Sequence, residues 1–219
     1  MAFVKTEVQG AVEIITIDRP KALNALNPEV LADLKAAFEA VDQETVRCIV
    51  LTGEGDKSFV AGADIGSMST MTKAEGEAFG KLGNDVFLMI ESFPIPVIAA
   101  VNGFALGGGC EISMSCDIRI CSENAVFGQP EVGLGITPGF GGTQRLARLV
   151  GMGRAKEMIF TCDNVDANEA YRIGLVNKVV AKEELMPTAK AMAAKIISKG
   201  SYAVSVAKAA INNGYDMDI

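Results

Sequence analysis

The order of apolar segments along the chain is the feature that most constrains its fold. Segments with the apolar pattern of strands alternate with segments of helical periodicity, and helical patterns dominate beyond residue 143. The strand-like segments are 12–18, 47–52, 97–101, 117–120 and 175–180, and the helix-like segments include 28–42, 73–91 and 110–116. Because this alternation is typical of sheets covered by helices, the sequence predicts one α/β domain with a helical C-terminal part.

The absence of histidine from the 219 residues limits the chemistry that the chain can perform. It excludes Ser-His and Cys-His nucleophile pairs and the H-E-x-x-H zinc site. No loop pattern for a metal is present, so we expect no metal site. Proton transfer near neutral pH would therefore be carried out by carboxylates, Lys, Tyr or Cys.

Charge and hydropathy restrict partners and location. The net charge is -7 and no run of Lys or Arg exceeds two residues, which argues against a nucleic-acid groove. The first residues lack the apolar region of a signal peptide, and the apolar stretch 96–106 is too short to span a bilayer. We therefore expect a soluble cytoplasmic protein without membrane contact. The odd number of cysteines, five, and the lack of C-x-x-C predict free buried thiols.

Three glycine-rich segments lie in apolar surroundings at 59–64, 102–111 and 127–143. The run Gly107 to Gly109 is either a flexible connector or a place where a ligand approaches the backbone closely. A helix beginning near Gly108 would direct free N–H groups at such a ligand. Neither G-x-G-x-x-G nor a P-loop occurs, so these donors suit a developing oxyanion better than a phosphate.

Two glutamates adjoin these glycine-rich segments. Glu111 follows the glycine run among apolar neighbours, and Glu131 lies in the Gly/Pro-rich segment 20 residues later. Taken singly, each glutamate is as compatible with an exposed surface position as with a functional role. Together they provide the acid and the base that a site without histidine needs.

At this level of detail the chain resembles the crotonase (enoyl-CoA hydratase/isomerase) superfamily from about Val12 to Ile219. The resemblance rests on 97–142 and on the opening motif DRPKALNAL at 18–26, and it is strongest to the bacterial short-chain enoyl-CoA hydratases. It implies a crotonase-like (ClpP/crotonase) α/β fold of repeated ββα units, with the core at 1–195 and the start of a helical C-terminal region at 196–219. Family members usually continue with further helices, so we expect this region to be truncated here.

The resemblance also implies roles for individual residues. The backbone N–H groups of Ala63 and Gly108 would form an oxyanion hole for the thioester carbonyl. Glu111 would act as the base toward the attacking water, and Glu131 would deliver a proton to the α-carbon. Residues bordering the adenine end of coenzyme A would be Ala22, Leu23, Ala61, Asp64 and Ile65, and those lining the water and acyl side would be Gln129 and Gly139. Lys21 would also bind coenzyme A.

The activity implied is reversible hydration of a short-chain trans-2-enoyl-CoA such as crotonyl-CoA, in fatty-acid or butyrate metabolism. It needs no cofactor, because coenzyme A is part of the substrate. A homotrimer or dimer of trimers is expected. The alternatives are an enoyl-CoA isomerase, other acyl-CoA enolate chemistry, an RNA-binding or non-catalytic relative, and an inactive fragment. The isomerases generally keep an acid only at the position of Glu131.

Gly66 departs from the family pattern, because many members carry Lys at this position, and Lys21 is a partial substitute. We interpret Arg145, Arg148 and Arg154 as a solvated or intersubunit cluster.

Overall fold

The computed structural model describes residues 1–215 and 217 and contains two β-sheets. The larger sheet has the strand order β1-β2-β3-β5-β7-β10 and the smaller one β4-β6-β8-β9. The strands are β1 (Val4–Gln9), β2 (Val12–Ile17), β3 (Cys48–Gly53), β4 (Ser58–Val60), β5 (Val97–Val101), β6 (Phe104–Leu106), β7 (Ile118–Ser122), β8 (Val126–Gly128), β9 (Val165–Asp166) and β10 (Lys178–Val180).

The centre of the larger sheet is parallel and buried on both faces. Strand β3 pairs in parallel with β2 and β5, and all of its residues are buried. A strand covered on both faces reads in sequence as a continuous apolar run, which is why β3 and β5 were predictable. The strand expected at 117–120 is confirmed at Ile118–Ser122, and the one expected at 175–180 is confirmed only over its last three residues.

Helices cover the sheets and form the C-terminal part. They are α1 (Pro28–Glu39), α2 (Ile65–Met68), α3 (Lys73–Ser92), α4 (Gly108–Ser115), α5 (Gly142–Val150), α6 (Met152–Thr161), α7 (Ala167–Arg172), α8 (Leu185–Ile197) and α9 (Ser201–Gly214), with short 3-10 turns at Pro20–Ala22, Glu131–Leu134 and Lys182–Glu184. Helix α1 begins as predicted, with the Asn27 side chain accepting from the N–H of Val30 and Pro28 in the first turn. The prediction of an α/β core followed by helices is confirmed.

Helix α4 packs against strands β4 and β6 of the smaller sheet and against helices α3 and α5, and every one of its residues is buried. A Cβ atom added to Gly109 would lie 1.8 Å from the carbonyl oxygen of Val60. Glycine is therefore needed at 109, because the helix backbone passes directly against strand β4. This close approach places the start of α4 beside the end of that strand.

The C-terminal helices attach to the sheet in different ways. Helix α8 packs on one face through Leu185, Ala189 and Ala193. Helix α9 buries only Lys208, whose Nζ lies 2.7 Å from Oδ2 of Asp117. The expected domain boundary at 195/196 lies within α8 and stays a prediction. Of the segment expected to begin the helical region, residues 216, 218 and 219 lie outside the described residues.

Two further expectations concern the cysteines and a membrane-spanning segment. All five cysteines are free, as predicted. Four of them are buried as expected, whereas Cys162 is half-buried. Within the described part of the chain, no helix is both long and apolar enough to cross a membrane.

Candidate active site

Three neighbouring parallel strands of the smaller sheet lead into one cavity. In the pairing of β4 with β6, Val60 lies opposite Ala105. Ala63 comes three residues after Val60, and Gly108 comes three residues after Ala105. Strand β8 is the next parallel neighbour of β6 and is followed by Glu131. Because the carboxyl ends of parallel strands lie at the same edge, the three glycine-rich segments of the sequence meet there.

The cavity has a volume of about 540 Å³ and combines a polar end with apolar walls. Its polar end includes Ala63, Gly108, Glu111 and Glu131. Apolar side chains and small residues form the rest of its wall, among them Ala61, Ile65, Met68, Phe79, Leu134, Ile136, Gly139 and Phe140. This arrangement suits a ligand with one polar reacting group and an apolar tail.

Two backbone N–H groups at the polar end are free to bind a ligand. Gly108 is the first residue of α4, so its N–H has no acceptor within the helix. Among residues 1–215 and 217, no hydrogen bond uses the N–H of Ala63 or Gly108. Each N–H belongs to a peptide group whose carbonyl is held, since Gly62 O accepts from Leu26 N at 2.8 Å and Gly107 O accepts from Glu111 N at 2.9 Å. The planar peptide group transmits this anchoring to the N–H on its other side.

Glu111 projects from α4 and is 1% exposed. Its Oε1 accepts two backbone hydrogen bonds, from Phe140 N at 2.8 Å and Gly142 N at 2.7 Å. Burial raises the pKa of Glu111 to about 7, and the nearby Glu131 carboxylate adds to the rise, while the two N–H donors and Arg145 oppose it. A carboxyl group with this pKa exchanges protons readily near neutral pH.

Glu131 opens the 3-10 turn after β8 and is 9% exposed. Burial raises its pKa. Within the described residues, its buried Oε2 has no hydrogen-bond partner. A buried carboxylate oxygen without a partner is costly unless it is protonated or a ligand completes its bonding. The site therefore holds two carboxyl groups in different environments, one bonded to two N–H groups and one partly unpaired, as an acid/base pair requires.

Gln129 lies beneath the site and does not line the cavity. It is fully buried, and its Nε2 donates to Gly107 O at 3.3 Å. It therefore supports the turn at Gly107, whose φ of 50° and ψ of -121° favour glycine. Its Oε1 has no hydrogen-bond partner within the described residues, and the expected contact with water and acyl group stays a prediction.

The other residues expected to contact coenzyme A divide between two places. Ala61, Ile65 and Gly139 line the main cavity, whereas Lys21 and Leu23 border a separate cavity of about 370 Å³. Asp64 lines neither of the two; it forms an ion pair of 2.7 Å with Arg19 and caps α2 by accepting from Ser67 N. Ala22 belongs to the 3-10 turn at Pro20–Ala22 and likewise lies outside both linings.

The structural role of Arg145 was not predicted from the sequence. The solvated alternative is wrong for this residue, which is 9% exposed and lies 2.7 Å from Oε2 of Glu91. It also donates to Phe140 O at 2.8 Å and so supports the segment that binds Glu111. A signal was available, because Gly142, Arg145 and Leu146 have the i, i+3, i+4 spacing of the inward face of a helix.

Comparison with known proteins gives one consistent result. Residues 7–219 match the enoyl-CoA hydratase/isomerase family. The chain is 61% identical over 214 residues to the short-chain-enoyl-CoA hydratase of Clostridium acetobutylicum, which is 97% of this chain and 82% of that protein. It is 58% identical to the crotonyl-CoA hydratase of Syntrophomonas wolfei, with the same coverage. The crystal structure of an enoyl-CoA hydratase from Bacillus anthracis is similar with a TM-score of 0.96 and 40% identity, over 99% of this chain and 84% of that one. A putative enoyl-CoA hydratase from Thermobifida fusca in complex with CoA is similar with a TM-score of 0.92 and 31% identity, over 100% of this chain and 87% of that one.

Proposed function

Because the chain belongs to the enoyl-CoA hydratase/isomerase family, and so has the crotonase-like fold, we propose that it catalyses the reversible hydration of short-chain trans-2-enoyl-CoA thioesters such as crotonyl-CoA. The observation that carries this proposal is the meeting of two buried carboxyl groups and two free backbone N–H groups in one cavity. The names of the two similar hydratases support the substrate class.

The two N–H groups bind the thioester oxygen in this proposal. When a hydroxide equivalent adds to the β-carbon, the electron pair of the double bond moves toward the thioester and makes its oxygen negative. The N–H groups of Ala63 and Gly108 hydrogen-bond this enolate oxygen. Loss of one such donor in other enzymes costs about 2.7–4 kcal/mol of transition-state stabilisation.

The two carboxyl groups move the protons. Ionised Glu111 takes a proton from water as the water oxygen bonds to the β-carbon, and protonated Glu131 gives a proton to the α-carbon. The product is a 3-hydroxyacyl thioester, with one water added and the enzyme carrying the same number of protons. Burial raises the pKa of both groups, and this favours keeping one proton on the pair near neutral pH. Dehydration reverses each step.

In this proposal the acyl chain lies against the apolar wall of the cavity, to which Met68 and Phe79 contribute. The chemistry proposed requires neither a metal nor a redox cofactor. The expected coenzyme A contacts at Lys21 and Leu23, the trimeric assembly, the cytoplasmic location and the role in butyrate metabolism stay predictions.

The test is the loss of enoyl-thioester ultraviolet absorbance when the purified protein meets crotonyl-CoA. We expect Glu111→Gln and Glu131→Gln each to lower kcat roughly 10²- to 10⁴-fold, the usual contribution of an acid or base. Glu183→Gln, at an exposed position, is the matched control and should retain the parent rate. Parent-like rates in either active-site variant would contradict the proposed roles.

A second substrate distinguishes hydration from isomerisation. A 3-enoyl-CoA should be converted poorly if both glutamates serve hydration. Isomerase activity that survives Glu111→Gln and disappears in Glu131→Gln would replace hydration by double-bond migration with a single acid.

A further inference from the structure

The segment 139–142 carries the two N–H groups that bind Glu111, and its first peptide group is held from outside the cavity. Phe140 N donates to Glu111 Oε1 at 2.8 Å. The carbonyl of the same peptide group is Gly139 O, which accepts from Asn84 Nδ2 at 2.7 Å. A continuous chain of hydrogen bonds thus runs from helix α3 through one peptide group to the carboxylate.

A trans peptide group is planar, and its C=O and N–H point in opposite directions. A donor fixed on the oxygen therefore fixes the direction of the N–H. It also polarises the N–H, because hydrogen bonds in a chain strengthen one another by about 10–30%. We propose that Asn84 is a positioning residue for Glu111, which it orients and keeps ionisable through the Gly139–Phe140 peptide group without touching the substrate. The part of this inference that concerns catalysis rests on the proposed function.

Helix α3 is adapted to this task at two consecutive residues. Gly83 leaves room for the Phe140 ring, because a Cβ atom at 83 would lie 2.3 Å from a ring carbon. Asn84 donates in addition to Gly80 O at 2.8 Å, which fixes its amide group on the helix. Asn84 is half-buried and does not line the catalytic cavity. The contact therefore acts on the segment and not on a bound ligand.

The other groups that act on the Glu111 carboxyl come from several elements. Glu131 faces it from the 3-10 turn and Arg145 from α5, while Cys110 adjoins it on α4. Asn84 adds no charge to this set. Replacing Asn84 by an uncharged residue leaves these charges in place, so a change in the titration of Glu111 would report the peptide group.

The test follows the carboxyl ¹³C resonance of Glu111 against pH in the free protein, which needs no catalytic activity. Asn84→Leu keeps nearly the shape of the side chain and removes the donor, and Asn84→Ala is the second variant should the first fold poorly. Ser92→Ala is the matched control, because it removes a side-chain bond to a carbonyl on the same helix, Leu88 O, away from the segment. We expect the Glu111 titration midpoint to rise by about 0.3 to 1 pH unit in both Asn84 variants, the equivalent of a 2- to 10-fold effect of one hydrogen bond. Midpoints equal to those of the parent and of Ser92→Ala would overturn the inference.

A kinetic measurement adds the catalytic part. The acid limb of the pH profile of kcat/KM for crotonyl-CoA should move upward in Asn84→Leu by the same amount as the resonance. An unmoved acid limb with a lowered rate would reduce Asn84 to a packing role. If the parent fails to hydrate crotonyl-CoA, the proposed function fails, and the resonance titration still decides whether Asn84 positions Glu111.

Discussion

Replacing Glu111 by Gln should lower kcat roughly 10²- to 10⁴-fold and at the same time stabilise the fold at neutral and alkaline pH. Glutamine resembles the protonated form of the carboxyl group and can accept the N–H groups of Phe140 and Gly142. The parent must instead keep a negative charge in a site that is 1% exposed. The structure therefore predicts that this position is chosen for chemistry at the expense of stability.

The size of the effect follows from the pKa. Burial raises the pKa of Glu111 from 4.5 to about 7 in the folded state. A carboxyl group with a raised folded-state pKa binds its proton more tightly in the folded chain, so the folded state is favoured at low pH. As pH rises from about 4.5 through about 7, the free energy of unfolding of the parent falls by up to about 3 kcal/mol, at 1.36 kcal/mol per pKa unit. The variant lacks this loss.

The assay is urea unfolding followed by circular dichroism, at several pH values between about 4.5 and 8. We expect the difference in unfolding free energy, variant minus parent, to grow with pH by about 3 kcal/mol and to level off above the folded-state pKa. Glu131 is present in both proteins, so its own titration cancels to first order. A difference that is the same at both ends of this range would refute the reasoning, because it would mean that Glu111 titrates alike in the folded and unfolded chain.

Two further predictions concern backbone and thiols. Gly107→Ala should cost about 1–3 kcal/mol of stability and lower kcat, because residue 107 has φ 50° and its Cβ would lie 2.9 Å from Oε1 of Glu131. The control is Gly10→Ala, at φ 62° with open space around it, which should lose stability in urea unfolding but keep the parent kcat. Equal kcat values in the two variants would contradict a local effect at residue 107. In the native protein a thiol reagent should label Cys162 rapidly and alone, and fast labelling that persists in Cys162→Ser would be inconsistent with this. The slow thiols, whose pKa burial raises to about 12, are Cys48, Cys110, Cys116 and Cys121.

The sequence predicted the elements whose pattern is determined locally. Strands β3 and β5 are buried along their whole length and therefore appear as apolar runs. Strand β1 escaped prediction because five of its six residues are exposed. Strands β4, β6 and β8 have three residues each and lie in or near glycine-rich segments. Such short strands are defined by their pairing partners, which are distant in sequence.

The candidate site was predictable to the same extent. Glu111, Glu131, Ala63 and Gly108 stand in recognisable motifs, and the structure brings them to one cavity. The placement of Gln129 could not be inferred, since the sequence does not show that Gly107 O lies within reach of its Nε2. The distances that make Arg145 and Asn84 relevant arise from the packing of α3 and α5 against the segment between them.

Ala63 and Gly108 each lie three residues beyond two paired residues of neighbouring strands, Val60 and Ala105. The spacing of the strands therefore helps to set the distance between the two N–H groups. Adjacent strands are held about 4.8 Å apart by their own hydrogen bonds. If the two N atoms keep that spacing beyond the strand ends and one oxygen lies about 2.9 Å from each, the N···O···N angle is about 110°. Two N–H groups at that angle reach separate electron pairs of one enolate oxygen. The width of the proposed oxyanion site is then inherited from ordinary sheet geometry, and loops can vary around it without altering the distance on which the chemistry depends.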